Sequence, residues 1–303
     1  MYSAECNAVK RGVDFAPLND SKVKKMLPPR LPVSHKGTYG TALLACGSEK
    51  MPGAACIAAS GALRSGAGLV KLVFPSGAYI PIVSKLTEAV FVPVKPNAEG
   101  TFDSEAGEEI IRQASSASAL LIGCGMGVNK DTVRTVQMVT QKAEIPLVVD
   151  ADALNALSAD TGVLKKTKAP VIITPHPGEM SRLCGKQINE ILADTVGTAL
   201  TFSASYGVIT VLKTENTVVC SPEGRVYINT TGNSGLAKGG SGDLLSGMMV
   251  SLLAQGMDPY ECACIAVYLH GRCADEVAAK LSQRGMLVSD MIDYLAEFYS
   301  KYE

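Results

Sequence analysis

The sequence of 303 residues contains no tryptophan, and aromatic residues make up only 5% of it. Its core must therefore be packed with small and branched aliphatic side chains rather than with rings. Also missing is an excess of charge of either sign. Lys plus Arg is 28 and Asp plus Glu is 29, leaving a net charge of -1 and no dense basic run. That balance excludes the broad electropositive footprint of a protein that binds nucleic acid or an anionic membrane, and points to a small partner. The nine cysteines (Cys6, Cys46, Cys56, Cys124, Cys184, Cys220, Cys262, Cys264, Cys273) include no CxxC pair, which argues against structural zinc and thiol exchange. They read as small reduced hydrophobes. The N-terminus lacks the basic-then-apolar profile of a secretory signal, and no apolar stretch approaches the roughly 18 residues that span a bilayer, so a cytoplasmic location is expected.

What is present is the composition of a compact globular protein, 47% hydrophobic and 19% charged. The mean hydropathy of +0.19 fits a core of Ala, Val, Ile and Leu, or a buried oligomer interface. Residues 1–36 are polar, carry Pro28, Pro29 and Pro32 near their end, and read as an N-terminal arm to one domain over 37–303. From there short apolar runs recur at 41–46, 69–74, 89–94, 119–122, 147–149, 171–174 and 208–212. They alternate with stretches of helical period at 53–66, 77–86, 104–115, 130–142, 151–158 and 188–205. The alternation predicts an α/β fold with buried parallel strands and helices on both faces of the sheet. It breaks once, where runs at 217–220 and 225–229 flank "SPEG" and predict an antiparallel hairpin at the sheet edge. Helices are then expected at 240–254, 259–280 and 289–301, with Asp258-Pro259 a good helix start.

The stretch "AKGGSGDLLSGMM", residues 237–249, carries the strongest chemical signal. Leu244, Leu245, Met248, Met249, Leu252 and Leu253 share one helix face, which anchors that helix in the core. Its N-terminus then points outward with unsatisfied N–H groups, and Gly239, Gly240 and Gly242 allow an anion close to that backbone. The turn is a phosphate cradle without the P-loop pattern, which is also absent around Gly185-Lys186. A carboxylate beside bound phosphate is unfavourable unless it works there, so Asp243 reads as the proton acceptor for a hydroxyl that attacks a phosphoryl group. The alternative is an aspartate that only complements the helix dipole.

Other segments leave alternatives open. "LLIGCGMG" fails the dinucleotide fingerprint, because Lys130 occupies the third glycine position. "MPGAA" opens the first long helix, where Gly53 and Ala54 either let a substrate lie close or pack the helix on the sheet. In "PHPGE", after a strand end, two prolines stiffen His176, and Glu179 falls in the first turn of the next helix. In "VVDADALNAL" the pair Asp150 and Asp152 suggests metal or acid–base chemistry, but helix capping by Asp152 accounts for much of the pattern. His270, mid-helix among Ala266, Val267 and Cys273, reads as a satisfied core histidine.

"GNSGLAKGGSGDLLSG" resembles the anion-hole signature of the ribokinase-like superfamily and, within it, the carbohydrate-kinase-type dehydratases that repair NAD(P)H hydrate. "HKGTYGTALLACGSEKMPGAACIAASGALRSGAGLVKL", "LLIGCGMG", "VVDADALNAL" and "ITPHPGEMSRL" agree in order, so the resemblance runs from about His35 to about residue 280. It implies a three-layer ribokinase-like fold and an ADP- or ATP-dependent (S)-NAD(P)H-hydrate dehydratase that phosphorylates the ring hydroxyl and then eliminates phosphate. Members similar to this chain use ADP and release AMP. By the same resemblance Asp243 deprotonates the substrate and the backbone of Gly240, Ser241 and Gly242 stabilises the phosphoryl group. Gly53, Ala54, Gly127, His176 and Asp243 would contact NAD(P)H hydrate, while Lys213, Thr214, Glu215, Asn216 and Thr217 would hold the adenine nucleotide. For Gly127 a plain tight turn is the alternative. Glu179 would stand near Mg²⁺, itself bound chiefly through nucleotide phosphates. A homotetramer and an epimerase supplied as a separate protein are further expectations. Two other readings remain: a ribokinase-like kinase for a vitamin-precursor alcohol, which leaves its phosphate on the substrate, and a catalytically silent nucleotide sensor.

Overall fold

The computed structural model describes residues 17–303. Cys6 and the first part of the expected arm, 1–16, lie outside the described residues. Nine strands form one sheet: β1 (Thr41–Ala45), β2 (Leu69–Pro75), β3 (Val90–Val94), β4 (Ala119–Ile122), β5 (Leu147–Val149), β6 (Val171–Ile173), β7 (Ile209–Leu212), β8 (Val218–Cys220) and β9 (Val226–Ile228). Their order is β3-β2-β1-β4-β5-β6-β7-β8-β9. All pairings through β7 are parallel, and β8 and β9 add antiparallel at one edge. The strand order reverses between β1 and β4, so their carboxyl ends flank the crevice where open α/β sheets bind ligands.

Side chains alternate across the sheet, and both faces are buried. Ala42 and Leu44 of β1 enter one core with α2 (Pro52–Arg64), α10 (Ser241–Ala254), α11 (Pro259–Leu281) and α12 (Val288–Tyr299). Leu43 and Ala45 enter the other, with α4 (Ala106–Ala114), α5 (Lys130–Lys142), α6 (Asp152–Leu157), α7 (Pro177–Cys184), α8 (Ile188–Ala193) and α9 (Thr195–Tyr206). This is the three-layer architecture the alternation predicts. No helix among the described residues is long and apolar enough to cross a membrane.

Four local expectations change. The run at 89–94 forms β3, but as an edge strand rather than a buried one, with Val90 42% exposed and Pro93, which has no N–H to donate, within it. The single helix expected over 188–205 is two, because Asp194 leaves helical geometry (φ -146°, ψ 73°) to accept from the Gly197 N–H and start α9. The helix expected over 77–86 is reduced to α3 (Tyr79–Val83), preceded by a 3-10 turn at Ser76–Ala78. Within the expected arm, α1 (Asp20–Met26) buries Val23 completely. Asp20 accepts from the hydroxyls of Tyr268 and Tyr302 at 2.8 and 2.7 Å, pinning this segment to the C-terminal helices.

The placement of α10 depends on two glycines. A Cβ added to Gly61 of α2 would lie 2.9 Å from the Leu244 carbonyl oxygen, and one added to Gly247 of α10 would lie 2.1 Å from the Ala58 carbonyl oxygen. The two backbones thus approach to a distance only hydrogen permits, and this sets how far the tip of α10 reaches toward the crevice. Alanine inside a helix ordinarily gains about 1 kcal/mol over glycine. At Gly247 the clash should win: Gly247→Ala is expected to lower the unfolding free energy by about 1–3 kcal/mol in urea titrations. A stabilised variant would show that the helices can separate without cost.

Candidate active site

Helix α10 is buried on nearly all sides from Leu244 to Ala254, yet no side chain among the described residues caps its N-terminus. Its N-cap, Gly240, has φ +94°, a left-handed conformation that favours glycine, and a Cβ there would also lie 2.7 Å from Ile57 Cδ1. Around Gly239 nothing would obstruct a side chain within 4 Å. The first-turn N–H groups and the positive end of the helix dipole therefore face a cavity of about 930 Å³.

Beside this turn lies an ion pair. Lys213, at the end of β7, places Nζ 2.8 Å from Asp150 Oδ1, at the end of β5. Asp150 is 1% exposed and also accepts from the Ala151 N–H at 2.8 Å and, through Oδ2, from Ser246 Oγ of α10 at 2.7 Å. Burial opposes its charge, but Lys213 and the hydrogen bonds outweigh it and hold the pKa below the ordinary value. Burial likewise works against the Lys213 charge, and the carboxylates of Asp150 and Glu179 more than offset it. A Cβ on Gly242 would lie 3.3 Å from Lys213 Nζ, so the ammonium stands directly beside the glycine turn. It is placed to meet the same anion as the helix N–H groups.

Asp243, Glu179 and His176 are among the titratable groups that line the cavity with this pair. Burial, followed by the Asp150 charge, raises the Asp243 pKa to about 6. Cys124 works in the lowering direction on this carboxyl, and its own thiol, fully buried, is held well above the ordinary thiol range, as the inert hydrophobe its context suggests. Glu179 is pushed up to about 7, chiefly by burial. His176 is lowered, by burial first and then by Lys213. The prolines of "PHPGE" set up a capping box in which His176 Nδ1 accepts from the Gly178 N–H at 3.0 Å and Glu179 Oε2 accepts from the His176 N–H at 2.8 Å. The Lys213 N–H donates to the Pro175 carbonyl at 2.8 Å, tying the β6 and β7 loops together.

Of the residues expected at the site, Asp243, His176, Glu179, Lys213, Thr214, Glu215, Thr217, Gly240, Ser241 and Gly242 share this cavity. Gly53, Ala54, Gly127 and Asn216 do not line it. Asn216 is held within its own loop, where its carbonyl accepts from Thr214 Oγ1 at 2.9 Å. Gly53 and Ala54 open α2, and a Cβ on Gly125 would lie 2.7 Å from Ala54 Cβ, which places them against the loop after β4. Gly127 donates its N–H to Asp152 Oδ2 at 2.8 Å. Asp152 therefore does not cap α6 as the sequence suggests: the N-cap is Ala151, with φ +53° and no side-chain cap. Asp150 supplies the buried charge.

His270 is buried as expected, but its Nε2 has no partner among the described residues, and the residue lines the cavity. Asn229 and Thr231, which belong to no quoted motif, line it too, as does Asn233 at the head of "GNSGLAKGGSGDLLSG". The loop holding Asn233 is fastened by Asp275 of α11, which accepts from the Gly232 N–H at 3.0 Å and from Asn233 Nδ2 at 2.9 Å.

Burial of Asp243 has a stability consequence. Its pKa rises from 3.8 to about 6 on folding, so the folded chain holds the proton more tightly, and stability falls as pH rises between those values. Asp243→Asn should raise the unfolding free energy by on the order of 2 kcal/mol near pH 8 and change it little below about pH 4. Urea titrations at both pH values test this; equal effects at both would remove burial of charge as the cause.

A family model for NAD(P)H-hydrate dehydratase matches residues 42–297. The bifunctional NAD(P)H-hydrate repair enzyme of Moorella thermoacetica is 38% identical over 272 residues, covering 90% of this chain and 51% of that enzyme. The chain thus spans about half the length of that relative. The ADP-dependent (S)-NAD(P)H-hydrate dehydratase of Bacillus subtilis is 37% identical over 285 residues, covering 94% of this chain and 98% of that protein. A crystal structure of the ADP/ATP-dependent NAD(P)H-hydrate dehydratase from Bacillus subtilis, co-crystallised with ATP and Mg²⁺, superposes with a TM-score of 0.80 at 34% identity, covering 94% and 98% of the two chains. With the ribokinase-like three-layer sheet and the glycine turn in place, these matches show that the chain belongs to the NAD(P)H-hydrate dehydratase family.

Proposed function

We propose that this chain, through a catalytic domain over 37–303, restores hydrated NADH or NADPH with ADP, or with ATP, as phosphoryl donor. The observation that carries this reading is the convergence of a carboxyl with a pKa of about 6, an uncapped helix N-terminus and the Lys213 ammonium on one cavity of about 930 Å³. Asp243 takes the proton from the hydroxyl of the hydrated ring, and the freed oxygen attacks the terminal phosphorus of ADP. The bond from that phosphorus to the bridging oxygen breaks, and AMP leaves. The N–H groups of Gly240, Ser241 and Gly242, with Lys213, carry the charge on the transferring group. Phosphate is a far better leaving group than hydroxide, so the ring nitrogen's electron pair expels it and the neighbouring carbon loses a proton. The sum is NAD(P)H, AMP and inorganic phosphate.

No group of three or more His, Cys, Asp or Glu is placed to hold a metal among the described residues. The donor set therefore fits a Mg²⁺ that arrives on the nucleotide phosphates, with the Glu179 carboxyl offered from the cavity wall. Such an ion supplies charge neutralisation at the phosphates; the proton transfer belongs to Asp243. The (S)-epimer and ADP as donor follow the name of the Bacillus subtilis relative, and AMP is what ADP becomes once its terminal phosphoryl group is transferred.

Purified protein mixed with NAD(P)H hydrate and ADP, and separately ATP, should restore dihydronicotinamide absorbance with one phosphate released per ring restored. Phosphate left on an alcohol product would favour the kinase reading, and no turnover with either nucleotide would end this one. Asp243→Asn should lower kcat by roughly 10²–10⁴-fold while nucleotide still binds. For the unaltered protein kcat/KM should rise with pH through about 6, as the carboxylate forms, and then level off. A flat profile across that range would take the proton-acceptor role from Asp243.

A further inference from the structure

The segment that leads into the glycine turn, 234–240, is joined to the connector 282–287 between α11 and α12. Ser234 Oγ donates to Gln283 Oε1 at 2.7 Å. A Cβ added to Gly235 would lie 2.3 Å from Met286 Sδ and 3.0 Å from the Gln283 carbonyl oxygen, so only hydrogen fits between the two segments there. At the turn itself, a Cβ on Gly240 would lie 3.7 Å from Cγ2 of Val288, the first residue of α12. The charged tie is Lys238. Its Nζ donates to the Arg284 carbonyl at 2.8 Å and to the Met286 carbonyl, while its own carbonyl accepts from the Ser241 N–H at 3.4 Å and closes the turn. The connector is braced in its turn. Ser282 takes the left-handed φ of +68°, its carbonyl accepts from the Met286 N–H at 3.0 Å, and its Oγ accepts from the Gly285 N–H at 3.2 Å.

Lys238 lines the cavity two positions before Gly240, where an ammonium would ordinarily be read as a phosphate ligand. Two observations point elsewhere. Two of its three N–H donors are committed to main-chain carbonyls. A Cβ on Gly242 would meet Lys213 Nζ at 3.3 Å and Asp150 Oδ2 at 3.6 Å, with no atom of Lys238 within 4 Å. We propose that Lys238 is a positioning residue for phosphoryl transfer. By holding the carbonyls of Arg284 and Met286 it fixes the glycine turn to the connector, so that the N–H groups of Gly240, Ser241 and Gly242 stand in place before a phosphate arrives. The cation beside that phosphate is Lys213. Three glycines give the turn its open backbone and also its conformational freedom, so the order that transition-state stabilisation requires has to come from contacts outside the turn.

This inference rests on the phosphoryl-transfer reading above, and two measurements tell the failures apart. Hydrogen exchange is followed by mass spectrometry on the ligand-free unaltered protein, Lys238→Met and Lys238→Arg, and kcat is measured for each at saturating ADP. Lys238→Met keeps the apolar stem and loses the donors. Exchange at 234–243 and at 282–288 should then both become roughly 10-fold faster, with the rest of the chain unchanged, and kcat should fall by roughly 10-fold or more. Lys238→Arg, whose fork can still serve two acceptors, should recover part of both the protection and the rate. A direct phosphate ligand would lower kcat and leave both segments protected in the free protein, and that result overturns the inference. An unchanged kcat overturns it too, as does faster exchange spread over the whole chain, which is a general loss of stability. If the unaltered protein does not turn over, the functional reading falls and takes the positioning role with it; if it does and exchange alone fails to change, only this inference falls. Should Lys238→Met not fold, Lys238→Gln, which removes the charge and keeps a shorter polar side chain, decides by the same two readouts.

Discussion

The buried pair of Lys213 and Asp150 organises the site. Burying two charges costs several kcal/mol each in desolvation, which their attraction repays only where further hydrogen bonds complete the carboxylate. Here the Ala151 N–H and the Ser246 hydroxyl do so, and Ser246 belongs to the helix whose tip holds the glycine turn. The pair therefore locks two strand ends and α10 into one register. Its charges also enter the environment of each neighbour: Asp150 raises Asp243, Lys213 lowers His176, and both act on Glu179.

The consequence is a cavity with a division of labour. One carboxylate, Asp150, is held ionised by its partner and spends its lone pairs on structure. Another, Asp243, lacks a cation of its own and is kept near the point where it can accept and release a proton. A phosphate entering the turn meets the Lys213 ammonium and the helix N–H groups together, and these donors are already in position before it arrives.

Backbone geometry makes this possible. Gly61 and Gly247 let α2 and α10 approach closely, and the parallel strands bring the loops after β5, β6 and β7 to one edge of the sheet. The fold was largely legible beforehand, because strand and helix periods differ and both faces of a parallel sheet are apolar. Where the expectation failed, one side chain outweighed periodicity, as when Asp194 caps α9 and divides an apolar stretch into two helices. The glycine turn and Asp243 were legible for the same local reason: open backbone at the head of a core helix has few other uses.

What the linear order could not show is pairing across it. Asp150 and Lys213 are 63 positions apart, and neither residue type reveals that the two will neutralise each other. Asp152 resembles a cap until Gly127 claims its carboxylate, and His270 resembles a satisfied core residue until the packed chain leaves its buried Nε2 without a partner among the described residues. The sequence by itself determined most of the elements, the glycine turn and the carboxyl of Asp243 at its end, since these depend on neighbours within a few positions. Only the tertiary structure decided which buried polar groups are satisfied and which charges pair, because hydrogen-bond partners and desolvation are properties of the packed chain.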